Sequence, residues 1–143
     1  LDQLNTELDA LLVNLEQYSH EQINRQPAPD SWSATQVMHH LLLSETLSMK
    51  YCQKKLSFNT TLQKAGLIAA FRAFFVHYYL LSPFKFKAPP MLATPALPAK
   101  SDLPKISSQY RGQRATFAVF LQEVPEEYLD KEVYKHPFGG RLS

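Results

Sequence analysis

The chain has a single cysteine, Cys52, in 143 residues, which excludes an intrachain disulfide and a cysteine-built zinc site and suits a reducing cytoplasm. A lone thiol on an otherwise helical stretch reads as a half-buried side chain, not a nucleophile. Net charge is equally sparse, at +2, too little to call for a polyanionic partner. The one regional imbalance lies in residues 82–114, where Lys85, Lys87, Lys100, Lys105, Arg111 and Arg114 face a single Asp102. With no basic-aromatic repeat and no recognition-helix signature, nucleic-acid binding is not expected. The most apolar run, Leu67 to Leu81, is shorter than the roughly 18 residues a membrane span requires and contains Arg72 and His77. No basic stretch leading into an apolar leader is visible, so a cytoplasmic protein without a membrane segment is expected.

What is present is helical periodicity. Leu1, Leu4, Leu8, Leu11, Leu12, Leu15 and Tyr18 recur at three- and four-residue steps and predict a first helix. Pro27 and Pro29 stop it, and a second helix is expected from Ala34 to about Leu56. A third is predicted over about Leu62 to Leu81, despite Gly66, nearly encircled by Phe71, Phe74, Phe75, Tyr78 and Tyr79. Six prolines between Ser82 and Pro104 make residues 82–104 an extended connection. Ile106, Tyr110, Phe117, Phe120, Leu121 and Val124 restore a helical face from about Lys105 until Pro125 ends it. Residues 126–143 read as a loop. The whole of 1–143 is expected to form one all-α domain.

The chemically informative stretch runs from Asp30 to Leu41. Ser33 followed by Gln36 has capping-box spacing, so a helix should start at Ala34. From that start, Val37, His40, Leu41, Ser44, Leu47 and Tyr51 share one face, which would turn His40 inward and His39 sideways or outward. Trp32 is expected to pack back onto the first turn near Val37. By itself His40 admits two readings, a core histidine bonded to Ser44 or a neighbouring helix, and a metal ligand, since a neutral imidazole on a rigid helix suits zinc, nickel or iron. Glu45 lies five residues on, away from the face of His40. His20 is assigned to the C-terminal dipole of the first helix and His77 to packing among tyrosines. His136, ahead of a proline, is expected to cap a helix or bond a carbonyl and is a weaker ligand candidate.

Trp32-Ser33 followed by His40-Leu41, the connection Phe84-Lys85-Phe86-Lys87-Ala88-Pro89-Pro90, and His136-Pro137-Phe138-Gly139-Gly140-Arg141-Leu142-Ser143 occur in an order that resembles the DinB/YfiT-like helical bundle proteins over residues 27 to 143. The resemblance implies a four-helix bundle and a bacterial metal-dependent hydrolase or thiol transferase of stress and detoxification type. It also implies a divalent zinc, nickel or iron on three histidines, with an open position for water or a small thiol. Only His40 carries over. The family's other two ligands, a His-x-x-x-His pair on a last helix, have no counterpart in this sequence, so the metal is expected to be absent or weakly bound. The alternative is a non-catalytic helical module, either a homodimer joined through the aromatic helix at 62–81 or a carrier of apolar ligands.

Overall fold

A computed structural model describes residues 1–58, 61–80, 96–136 and 140–142. The described residues are all-α apart from one small hairpin, and their α-helices are α1 (Asp2–Leu15), α2 (His20–Asn24), α3 (Ala34–Ser57), α4 (Leu67–Leu80) and α5 (Leu103–Glu123). The strands β1 (Tyr134–His136) and β2 (Gly140–Leu142) follow a short 3-10 turn at Glu126–Tyr128. Contacts gather into two units. The first comprises Leu1–Thr46 and Lys87–Val119, the second Leu47–Phe86 and Phe120–Ser143.

In the first unit the core is built from α1, the start of α3 and α5: Leu8, Leu12, Met38, Ile106 and Tyr110, with Leu15, Leu42 and Leu103 packed against them. The face of α1 is narrower than its leucine pattern suggests, because Leu4 and Leu11 remain exposed. The first helix also ends earlier than the periodicity predicts. Ser19 opens the separate helix α2 with its own capping box: its hydroxyl accepts from the Gln22 amide, and the Gln22 side chain accepts from the Ser19 N–H. His20 therefore heads α2 and lies 3.0 Å from the Asp102 carboxylate, so the dipole reading of it is replaced by this pair.

A buried polar clamp ties α2 to the segment ahead of α5. Asn24 donates to the carbonyls of His20 and Ser101, while its own carbonyl oxygen accepts from the Ser101 N–H and the Thr35 hydroxyl. Every polar atom of the Asn24 amide thus has a partner, the condition under which a buried amide is tolerated.

In the second unit, α4 starts five residues later than predicted. The backbone of residues 63–65 is used differently: the Ala65 N–H donates to the Asp130 carbonyl, the Glu132 N–H donates to the Gln63 carbonyl, and Lys64 bridges Lys131. Gly66, a poor helix former, marks the boundary. The tail read as a loop instead forms an antiparallel hairpin with Tyr134 opposite Leu142 and His136 opposite Gly140. Gly140 has φ +72 beside the Arg72 guanidinium, so the backbone conformation favours glycine, while a Cβ there would make only an ordinary contact about 3.6 Å from Arg72. β2 packs on α4. The proline-rich connection falls largely outside the described residues. Of its described end, Leu97 is buried.

Candidate functional site

The turn into α3 is built as its sequence dictates. Asp30 sits at φ 60, a left-handed conformation that aspartate tolerates better than most residues. The Ser31 N–H closes the preceding turn on the Ala28 carbonyl. Ser33 is fully buried; its hydroxyl accepts from the Gln36 N–H at 3.3 Å, and the Gln36 side chain accepts from the Ser33 N–H at 3.0 Å. This is the reciprocal cap its spacing predicts, and the helix begins at Ala34.

The rotation of α3 differs from the predicted face. Met38 and Leu42 reach the core, while Val37, Leu41 and Tyr51 are exposed. The reason lies in the cap: Thr35 and Gln36 are buried by their bonds to Asn24, Ser33 and Gln26, and this fixes the helix phase so that the next inward position is Met38. Trp32 is half-buried at the start of α3. Its ring lies 4.7 Å from that of His40, tilted by 42°, and the tryptophan that announces the helix covers its candidate ligand.

His40 is half-buried in this position. His39, expected to face sideways or outward, is half-buried as well, and its Nε2 is shut from solvent with no hydrogen-bond partner among the described residues. Burial holds the His39 imidazole below its ordinary pKa, and the charge of Lys105 adds to that. His136 lies on β1, near the Tyr134 ring at 6.3 Å, and burial lowers its pKa too. His77 is exposed, edge-on to Tyr78 at 5.6 Å. Burial raises the pKa of the half-buried Cys52 thiol, which disfavours the thiolate and any nucleophilic role.

Glu45 serves another partner. Its carboxylate accepts from Arg114 at 2.7 Å, and Arg114 is nearly buried, with its Nε lacking a partner among the described residues. Beside this pair, the Tyr110 hydroxyl donates to the Met38 carbonyl at 2.8 Å. Burial and the Glu45 charge together push the Tyr110 pKa up to about 12, with Arg114 opposing. No local sequence signal marks this Glu45–Arg114–Tyr110 group, because its members are far apart in the chain and the phase of α3 differs from the predicted one.

Among the described residues no three His, Cys, Asp or Glu side chains converge as a metal-holding set. Beside His40 lies the Trp32 indole face, which offers no metal donor, and the described residues add no further ligand set around it. Two open grooves line the first unit. One, of about 340 Å³, runs past Asn5, Asp9, Arg111 and Arg114; the other, of about 460 Å³, runs past Leu12, Glu16, Ser107 and Arg111. Both mix charged and apolar walls and lack the enclosed aromatic lining of an apolar-ligand carrier. No described helix is long and apolar enough to cross a membrane.

Neither the curated proteins nor the solved structures contain a match to this chain. The family model of the DinB superfamily matches residues 1–143, and the chain belongs to that family.

Proposed function

We propose that the chain is a DinB-like protein of the metal-dependent hydrolase or thiol-transferase type in which His40 keeps the position of one metal ligand while the donor set within the described residues is incomplete. The observation that supports this is the pairing of a correctly capped helix start with Trp32 laid against His40, in a chain whose family match runs over its full length. One imidazole lacks the chelate gain of further preplaced ligands, so the chain alone binds zinc or nickel weakly and does not turn over substrate. The test is dialysis against zinc or nickel followed by elemental analysis. Metal well below one ion per chain, unchanged in His40→Ala, is expected. One ion per chain that disappears in His40→Ala would overturn the reading of an incomplete site.

A second reading, a non-catalytic helical interaction module, is favoured by a separate observation, the outward aromatic side chains of α4. The two readings are compatible, since α4 and His40 belong to different units.

A further inference from the structure

Helix α4 has its side chains reversed by size. Fully buried Ala69 and half-buried Ala73 and Val76 form its inner face at four- and three-residue steps. Its large residues point outward: Leu67 is 91% exposed, Phe71 63%, Phe74 56%, Phe75 58% and Tyr78 58%. Ordinary surface helices do the opposite. The exposed rings already touch one another, Phe71 against Phe75 at 4.8 Å and Phe74 against Tyr78 at 4.4 Å, forming one continuous strip along the helix.

From this strip we infer that α4 is the contact surface for a second copy of the same chain, paired antiparallel about a two-fold axis. The inference rests on the second reading above and deepens it by naming the surface and its geometry.

Three observations select this occupant. First, Leu67, Phe71, Phe74 and Tyr78 are spaced four, three and four residues apart, the seam of a heptad repeat. That spacing reads the same in both directions, and an isologous two-fold contact requires a surface complementary to itself. Leu67 of one copy then meets Tyr78 of the other, and Phe71 meets Phe74, so each long ring faces an apolar neighbour.

Second, the area is sufficient. Taking large apolar side chains at roughly 150–250 Å² each, the exposed fractions of this strip with Ile68 and Tyr79 amount to roughly 650–1,100 Å², a range that spans the about 800 Å² each partner contributes to a standard interface. The largest apolar patch on a typical monomer is only about 300–600 Å².

Third, charge does not oppose self-pairing. α4 has no acidic residue, and Arg72, its one full-time cation, lies on the hairpin side beside Gly140. The strip itself therefore sets no like charges against each other across the axis. A helix lying in a lipid headgroup layer would carry lysine or arginine along its polar flank, and the described part of α4 offers only Arg72, already beside the hairpin.

The test is sedimentation velocity at micromolar concentration on the 143-residue chain, on Phe71→Glu and Phe75→Glu, and on Leu11→Glu, an exposed leucine of α1 that serves as control. Circular dichroism on each confirms helix content. Wild type and Leu11→Glu are expected to sediment at twice 16.4 kDa, and both α4 variants at 16.4 kDa with unchanged helix content. A strictly monomeric wild type overturns both the module reading and this inference. A dimer that survives the α4 substitutions, or that Leu11→Glu alone dissolves, overturns the assignment to α4 while leaving a dimer. Wild type that stays monomeric yet co-sediments with phosphatidylcholine–phosphatidylserine vesicles through Phe71 also overturns it, in favour of a membrane surface.

Discussion

The α1–α3–α5 core and helix α4 are comparably rich in large apolar residues and place them in opposite directions. In the core, Leu8, Leu12, Met38 and Ile106 point at one another and Tyr110 adds a satisfied hydroxyl. In α4 the alanines point in and the phenylalanines out. Apolar content alone therefore does not say which residues hold a fold. Ile106 contributes to folding because water is removed from it in the monomer, whereas Phe71 gains the same contribution only when another surface covers it.

The sharpest way to break this comparison is to truncate one residue from each side. Ile106→Ala should destabilise the chain by about 3 kcal/mol, through lost transfer energy and the cavity left behind. Phe71→Ala, at concentrations dilute enough for separate chains, should change stability by less than about 0.5 kcal/mol. Urea unfolding followed by circular dichroism compares the two directly, and equal losses would erase the distinction.

Alkaline titration probes the polar part of the core. Tyr110 is held from its ordinary 10.0 up to about 12. A group with a raised folded pKa contributes stability in full below its unfolded value and loses it as pH rises through the folded one, so the loss falls between pH 10 and 12 and amounts to roughly 3 kcal/mol. Tyr110→Phe should cost about 1 kcal/mol at neutral pH through the lost hydrogen bond, yet lose less on alkalinisation. Parallel pH profiles for the two proteins would remove Tyr110 as the cause.

Glu45→Ala leaves the nearly buried Arg114 guanidinium without its carboxylate. Because Glu45 is itself partly exposed, the loss should be about 2 kcal/mol, below that of a fully buried pair. Arg114→Met together with Glu45→Ala should recover part of it, and a double-mutant cycle measures how much. The smallest effect is expected at Asp30, whose φ of 60 suits glycine: Asp30→Gly should raise the unfolding free energy by about 0.5 kcal/mol, or leave it unchanged where added freedom of the unfolded chain offsets the relief. A clear loss would show that the aspartate side chain contributes to the turn.

These contrasts also show where the sequence was legible. The cap at Ser33–Gln36, the start of α3 and the existence of the long helices follow from local rules, and local rules held. The family resemblance carried by Trp32, Ser33, His40 and Leu41 held as well. The phase of α3 was not legible, because it depends on Asn24 and Thr35 meeting across a turn, and an error of one residue exchanged Val37 for Met38 on the inner face. The terminal hairpin was hidden by its shortness, three residues a strand, and by its dependence on α4 for packing. At the candidate site, His40 was legible as a residue but Trp32 against it was not, since the predicted partner of that ring was Val37.

The central claim is that the core of the first unit holds the fold within one chain while the outer aromatic strip of α4 is covered only by a second copy. The direct measurement is the thermal midpoint of wild type and Phe71→Glu across a wide range of protein concentration. A dimer unfolding to separate chains must give a midpoint that rises with concentration. The account predicts that rise for wild type and a flat, lower midpoint for Phe71→Glu. A wild-type midpoint independent of concentration, superimposable on that of the variant, would contradict it.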